Sequence, residues 1–146
     1  AVLEKMGHLG GNSAWASSGV NAVDPANTFG DSVDSFTKDV LKGAQLEENP
    51  LVNVLTEGSV GSLAWLRERL SEHLKLDLVG QLGGHSYPRT HRPSSGLAGS
   101  SMIFAIEKQL NKFLAEENPR LTMLKWTRAS KLVTDDSGAV VGVEWE

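Results

Sequence analysis

The stretch that decides the fold opens with Ala1-Val2-Leu3-Glu4 and continues with Gly10-Gly11-Asn12-Ser13-Ala14-Trp15-Ala16. Its first four residues predict a short buried strand that ends in an acid. In a dinucleotide-binding fold, a carboxylate at this position accepts hydrogen bonds from the two ribose hydroxyls, because an ionised acid is only an acceptor. Glu4 is the candidate for that role. The pattern therefore predicts half of a nucleotide-binding site.

Glycines and short polar residues follow Glu4 along the chain. Gly10 and Gly11 let the backbone pass close to a bulky ligand, since glycine has no side chain in the way. Small polar groups that could contact phosphates or a ring edge follow at Asn12, Ser13, Ser17 and Ser18.

The glycine fingerprint of a dinucleotide fold, G-x-G-x-x-G, precedes the acid by about 20 residues. Only three residues stand before Glu4. We therefore expect residues 1–146 to form a single partial domain, truncated at both ends relative to a longer parent protein.

Composition places the chain among ordinary soluble globular proteins. Of its 146 residues, 40% are hydrophobic and 22% are charged, with a net charge of −4. This acidic balance argues against nucleic acid or an anionic membrane as a partner, because both favour a basic patch. No apolar run approaches the about 18 residues of a membrane span. The absence of cysteine excludes a disulfide scaffold and a thiolate metal site.

Hydrophobic periodicity predicts two helices in the first half of the chain. The first spans residues 31–41, with Gly43 as its stop signal. Asn49-Pro50 starts the second, as an N-cap side chain followed by proline at the first helical position. This second helix either bends or breaks near Gly58 and Gly61.

The second half begins with a segment, residues 80–99, that contains five glycines and two prolines. We predict a long loop without regular structure there, of the kind that carries function. A third helix begins at Ser100 or Ser101, runs through about residue 114 and ends at Asn118-Pro119.

The C-terminal part predicts strands and a hairpin. Residues 121–126 are strand-like, and the turn Asp135-Asp136-Ser137-Gly138 joins residues 130–134 to residues 139–145. We expect Trp15 and Trp65 to serve packing rather than to stack on a cofactor.

Histidines and basic residues suggest other kinds of site. The four histidines lack the helical spacing of a zinc pair, so no metal site is predicted. Ser86 beside His85 lacks the G-x-S-x-G elbow of a hydrolase. The cluster of Arg89, His91 and Arg92 contacts an anion, such as a dicarboxylate or a phosphate, or belongs to a solvated loop, or forms ion pairs with the surplus of acids.

Four blocks of the chain resemble soluble fumarate reductases, including fungal ones and the flavin domain of bacterial flavocytochrome fumarate reductases. The first runs from Leu3-Glu4-Lys5 into residues 10–22. The second comprises residues 76–78, 81–86 and 89–92. The others are Ala64-Trp65-Leu66, and Thr127-Arg128 with the hairpin that closes on Gly142-Val143-Glu144.

The resemblance implies an oxidoreductase whose cofactor is FAD. The implied fold class is α/β, or α+β within the chain, as an incomplete Rossmann-like FAD-binding domain without its first strand and glycine fingerprint. Helices and a C-terminal β-hairpin complete it, and the resemblance implies that the second helix continues through Gly58 and Gly61. The implied location is soluble, in the cytoplasm or the mitochondrion.

The resemblance also implies which residues contact the cofactor. Glu4 and Lys5 lie at the adenosine ribose, and the backbone N–H and C=O of Ala129 hold the adenine. Gly11 is a further implied contact. Asn12 and Ser13 are implied near the pyrophosphate and ribityl chain, Ser18 and Gly19 near the flavin ring, and residues 81–86 against the isoalloxazine.

In this family, noncovalent FAD delivers a hydride to fumarate, an arginine donates a proton, and histidine and arginine side chains clamp the carboxylates. The blocks that carry those groups lie beyond the hairpin, so no catalytic residue is assigned between Ala1 and Glu146. The implied partners are a dicarboxylate substrate and the rest of the parent chain.

Two alternatives stay open. One is a folded, non-catalytic fragment that binds no flavin, since the phosphate-cradling turn is missing. The other is a piece of a related flavoenzyme that acts on another unsaturated acid or a ketosteroid. We expect the isolated chain to bind FAD weakly or not at all and to have no fumarate reductase activity.

Overall fold

The computed structural model of the chain describes residues 1–26, 29–116 and 120–146. In chain order its elements are β1 (Val2–Glu4), a short 3-10 helix (Gly11–Trp15), β2 (Val20–Asn21), α1 (Val33–Ala44), α2 (Pro50–Leu70), β3 (Leu78–Gly80), β4 (Thr90–Arg92), α3 (Ala98–Ala115), β5 (Met123–Lys125), β6 (Ala129–Thr134) and β7 (Val140–Trp145). The chain divides into two compact units: Ala1–Gly11 with Glu107–Glu146, here the terminal unit, and Asn12–Ile106, here the central unit.

The terminal unit contains a parallel strand pair and an antiparallel hairpin. β1 pairs with β5 so that Glu4 stands opposite Lys125 at the carboxyl ends of both strands. β6 and β7 form the predicted hairpin. Its turn is closed by Asp135, whose Oδ1 accepts the N–H of Ser137 at 2.9 Å and that of Ala139 at 3.0 Å. Both the first strand and the C-terminal hairpin are therefore confirmed.

The central unit is built around a three-stranded antiparallel sheet in which β4 lies between β2 and β3. Its apolar core combines residues that follow β2 with residues of α2, α3 and the connection after α2. The buried members are Ala22, Leu63, Leu70, Leu74, Leu76 and Ala105. Burial of these side chains supplies the main stabilisation of the unit.

α1 begins two residues after its predicted start at residue 31 and also ends later than predicted. The hydroxyl of Ser32 accepts the N–H of Ser35 at 3.1 Å and caps the N-terminus. The predicted stop at Gly43 is wrong, because the helix continues to Ala44 and Gln45 takes the left-handed conformation instead. The N–H of Leu46 then bonds the carbonyl of Leu41 at 2.9 Å, which satisfies a carbonyl of the last turn.

α2 begins at the predicted cap and is continuous. The side chain of Asn49 accepts the N–H of Leu51 at 2.9 Å, and Pro50 occupies the first turn. The helix runs through Gly58 and Gly61 to Leu70, so a break there is excluded. Each glycine costs roughly 1 kcal/mol relative to alanine, a cost that the buried apolar face of the helix offsets.

The prediction of a structureless segment over residues 80–99 is wrong in part. It contains all of β4 and the start of α3, and the carbonyl of Gly80 accepts the N–H of Arg89 at 3.2 Å. The predicted helix start at Ser100 or Ser101 is also wrong, since α3 begins at Ala98. The predicted end at Asn118-Pro119 lies outside the described residues.

Within the part of the chain that the structure describes, no helix combines the length and hydrophobicity needed to cross a membrane.

Candidate cofactor site

The carboxyl ends of β1 and β5 form one edge of the terminal unit. Ligands of open α/β sheets bind outside this end of parallel strands. Glu4 lies there, partly buried, and its Oε1 accepts the N–H of Met6 at 2.7 Å. That bond fixes the orientation of the carboxylate. Because a carboxylate accepts about four hydrogen bonds, Glu4 retains capacity for ligand hydroxyls.

The chain that leaves β5 passes against the end of β1. The N–H of Thr127 donates to the carbonyl of Glu4 at 2.8 Å, and the Thr127 side chain is buried. Ala129 follows two residues later, at the start of β6. The structure therefore brings Glu4 and the segment that holds Ala129 together within one unit.

The backbone of Ala129 faces away from its hairpin partner. Arg128 and Glu146 exchange two N–H to carbonyl bonds, of 2.7 and 3.0 Å. Pairs in an antiparallel ladder alternate between hydrogen-bonded and non-hydrogen-bonded positions. Ala129, opposite Trp145, falls at the non-hydrogen-bonded position. Its N–H and C=O consequently point away from β7 and present one donor and one acceptor at the strand edge.

Lys5 and Gly11 complete the predicted contacts of the terminal unit. Lys5 is exposed directly after Glu4. Gly11 has a φ of 47°, a conformation that favours glycine, and a side chain at this position would meet open space. Both residues are accessible to a ligand.

The central unit carries the other predicted contacts on the 3-10 helix and on the segment that leads from it to β2. Asn12, Ser13 and Ser18 are exposed there. Gly19, with a φ of 136°, packs so tightly that a Cβ would lie 2.4 Å from the carbonyl oxygen of His91. Glycine is therefore required where this segment crosses β4.

The start of α3 holds the same segment from another side. The N–H of Gly99 donates to the carbonyl of Ala16 at 2.7 Å. A Cβ on Gly99 would lie 2.0 Å from the carbonyl oxygen of Ser13, so backbone meets backbone at this point. Such close contact explains why a segment rich in glycine and serine is ordered, and why α3 begins before Ser100.

A buried charge cluster connects Arg89, the residue before β4, with Asp31 and Asp39, whose identity as partners the sequence did not reveal. Arg89 is 1% exposed, and its Nε and Nη2 donate to the two oxygens of Asp31 at 2.9 and 2.6 Å. Its Nη1 donates to Asp39 at 2.6 Å, and its guanidinium lies 4.7 Å from the ring centre of Phe36. Of the three alternatives for Arg89, the structure shows the ion pairs. The surplus of acids was the one sequence signal that pointed to them.

Asp39 receives three hydrogen bonds. The backbone N–H and the hydroxyl of Ser86 each donate to it at 2.7 Å, and Arg89 is the third donor. Burial alone would raise the pKa of this carboxyl, but the bonds from Ser86 and Arg89 outweigh burial and lower the pKa to about 2. Ser86 therefore serves to position Asp39.

His91 is a buried structural residue. Its Nε2 donates to the carbonyl of Ala22 at 3.1 Å, and its Nδ1 faces Arg67, which pairs with Asp24 at 2.7 Å. Burial lowers the pKa of His91, which keeps the ring neutral at neutral pH. Arg92, in contrast, is exposed.

The expected packing role of two tryptophans is wrong. Trp15 is 76% exposed and Trp65 is 53% exposed. Trp15 lies on the short 3-10 helix, and Trp65 faces away from the buried stripe of α2 that holds Leu63 and Leu70. For Trp65, the helical spacing of apolar residues did not distinguish the buried face of α2 from its exposed face.

Comparison with known proteins places this geometry in a family. A family model described as "FAD binding domain" matches residues 1–146, and the chain belongs to that family. The predicted FAD-binding fold, mixed helix and strand, and the predicted cofactor of the family are thereby confirmed.

Relatives of known function are similar to nearly the whole chain. A fumarate reductase of Schizosaccharomyces pombe is 35% identical over 99% of this chain and 29% of its own length. A urocanate reductase of Eggerthella lenta is 34% identical over 98% of this chain and 23% of its own length. Among solved structures, the open conformation of a flavocytochrome c3 fumarate reductase matches with a TM-score of 0.80 and 32% identity, over 98% of this chain and 25% of that chain. The chain thus spans less than a third of the length of each of these proteins.

Proposed function

We propose that this chain is the FAD-binding part of a longer, fumarate reductase-like flavoprotein that reduces fumarate to succinate. The observation that carries the proposal is the carboxylate of Glu4, oriented by the N–H of Met6 at the carboxyl end of β1. The 35% identity to a fumarate reductase supports the choice of substrate. FAD, when bound, supplies hydride transfer.

The terminal unit fits the adenosine half of FAD. Glu4 accepts hydrogen bonds from the ribose hydroxyls, with Lys5 beside it. At the edge of β6, the N–H and C=O of Ala129 match a ring nitrogen and the amino group of adenine, which are an acceptor and a donor. Gly11 leaves room for the chain of the cofactor to approach the backbone.

The central unit contributes the remaining contacts. We assign Asn12 and Ser13 to the pyrophosphate and ribityl chain, and Ser18 with Gly19 to the flavin ring. Residues 81–86 face the isoalloxazine in this proposal. The support is that a side chain at Gly83 would meet nothing within 4 Å, which leaves an open face for a planar ring.

The residues of this chain bind and orient the cofactor, and none of them is assigned a proton transfer. The clamp for the dicarboxylate and the proton donor belong to the rest of the parent protein in this proposal. The longer lengths of the similar reductases support that division.

The test uses the full-length protein that contains this chain. Flavin released by mild acid and identified by chromatography should be FAD, because the cofactor is held without a covalent bond. Protein reduced with a chemical reductant should be reoxidised by fumarate. Absence of releasable FAD, or reduced flavin that fumarate leaves unchanged, would contradict the proposal.

A second candidate substrate is another unsaturated acid. The 34% identity to a urocanate reductase favours it almost as strongly as the fumarate reductases favour fumarate. Reoxidation of the reduced protein by urocanate, with no response to fumarate, would select this candidate and leave the assignment of FAD intact.

A further inference from the structure

Trp126 is an exposed tryptophan in an uncommon backbone conformation. It follows β5 with a φ of 57°, in the left-handed region that bulky residues rarely adopt, and 74% of its surface is exposed. Trp126 is therefore no member of the apolar core within the described residues.

Two hydrogen bonds hold this conformation against the segment that follows β1. The N–H of Trp126 donates to the carbonyl of Met6 at 3.2 Å, and the N–H of Thr127 donates to the carbonyl of Glu4 at 2.8 Å. The turn is therefore anchored at the strand end where the carboxylate of Glu4 lies.

The indole rests on the backbone of Gly7. A Cβ on Gly7 would lie 2.4 Å from Cζ2 and 2.8 Å from Cε2 of Trp126, so any side chain at position 7 would displace the ring. Since Trp126 remains 74% exposed with its ring against Gly7, most of the indole surface is open to solvent. The structure thus presents a supported aromatic surface.

Three groups suited to one ligand surround this turn. The indole offers a surface for stacking, Ala129 offers a backbone donor and acceptor, and Glu4 offers a carboxylate. A purine nucleoside has an aromatic face for the indole, a base edge for the donor and acceptor of Ala129, and ribose hydroxyls for the carboxylate of Glu4. Bases stack readily on aromatic side chains of proteins, because every base has a π-face.

We propose that Trp126 forms one wall of the adenine subsite and stacks on the adenine ring of FAD. This inference rests on the proposed function and adds a specific contact to it. Stacking fixes the plane of the adenine, so that its edge meets Ala129 and its ribose meets Glu4.

The experiment titrates the flavin-free, full-length protein with AMP and, separately, with FMN. AMP contains adenine and ribose without the flavin, whereas FMN contains the flavin without adenine. Binding is followed by calorimetry and by the quenching of tryptophan fluorescence. Trp126→Asn removes the ring and suits the left-handed backbone, so this variant is expected to fold. Trp126→Phe retains an aromatic face, and Trp65→Leu is the matched control at another exposed tryptophan.

We expect Trp126→Asn to weaken AMP binding by about fivefold or more, the lower end of what base–aromatic stacking supplies. Quenching by AMP should disappear in that variant, while FMN binding stays unchanged. Trp126→Phe should recover most of the affinity for AMP, and Trp65→Leu should behave as wild type.

Wild-type affinity for AMP in Trp126→Asn, with quenching intact, would overturn the inference. The proposed function would survive that result, because FAD would still bind. If the unaltered protein bound neither FAD nor AMP, the proposed function would fail and the inference would fail with it.

Discussion

Replacing Glu4 by glutamine removes the charge of this side chain and exchanges one carboxylate oxygen for an NH2 group. The N–H of Met6 donates to Oε1 at 2.7 Å in the folded chain. The amide oxygen of glutamine is expected to keep this bond, since a donor without an acceptor costs free energy. The NH2 group then takes the position of Oε2, where the ribose needs an acceptor.

The size of the effect follows from that geometry. One hydrogen bond between a hydroxyl and a charged acceptor is lost, which is worth about 1.5 to 3 kcal/mol. We therefore expect the affinity for FAD to fall by about tenfold to about a hundredfold. The stability of the apoprotein should change little, because the bond to Met6 persists.

Glu4→Ala separates binding from folding. This variant loses the bond to Met6 as well, so its free energy of unfolding should fall by about 1 kcal/mol in addition to the loss of affinity. Glu144→Gln is the matched control, because Glu144 is an exposed acid of the same unit. We expect that change to remain within about 0.5 kcal/mol in stability and to leave FAD binding unaltered.

The assay measures the flavin content of the purified full-length variants and then titrates the apoproteins with FAD. Full occupancy and unchanged affinity in both Glu4 variants would refute the assignment of the ribose to Glu4. That result would also remove the main support for a nucleotide site at the end of β1.

Four further predictions concern folding and cofactor retention. Arg89→Leu leaves Asp31 and Asp39 without their partner and should lower the free energy of unfolding by about 3–5 kcal/mol. Arg92→Leu, at an exposed site, should change the free energy of unfolding little. Urea denaturation measures both variants. Gly99→Ala forces a Cβ against loop backbone and should lower the free energy of unfolding by about 1–3 kcal/mol. Gly61→Ala, in open space on α2, should raise it by up to about 1 kcal/mol. Thermal unfolding in which Gly99→Ala is more stable than Gly61→Ala would contradict the structure. The pKa of Asp39 is about 2 in the folded chain against an ordinary value of 3.8. Its contribution to the free energy of unfolding is therefore complete well above pH 4 and is lost as the pH falls toward 2. When the free energy of unfolding is measured against pH, Asp39→Asn should lack that part of the acid dependence. The isolated 146-residue chain should bind FAD weakly or not at all and should not reduce fumarate, and calorimetry that gives a submicromolar Kd would contradict this expectation.

Features with local signals were predictable from the sequence. The cap at Asn49-Pro50 and the hairpin turn over residues 135–138 depend on residues a few positions apart, and both form as expected. The acid at the end of the first strand was equally visible, because strand end and carboxylate are adjacent in the chain. Local hydrogen bonds form with little dependence on the rest of the fold.

Features that depend on distant partners were not predictable. β3 and β4 are three residues each, too short to show a hydrophobic period. They form because β3 pairs with β4 and β4 pairs in turn with β2. Gly58 and Gly61 favour a break by propensity, but packing along the whole of α2 keeps the helix continuous.

By itself, the sequence determined the strand that delivers Glu4, the main helices, the hairpin that carries Ala129 and, through its resemblance to the fumarate reductases, the cofactor. Only the tertiary structure decided that Arg89 is neutralised by acids 50 and 58 residues away, and that the indole of Trp126 lies over Gly7 beside the end of β1. The physical reason is that the two kinds of feature act over different distances along the chain. Caps and turns depend on neighbours in sequence, whereas a buried ion pair or a supported aromatic ring depends on residues that become neighbours only when the chain folds.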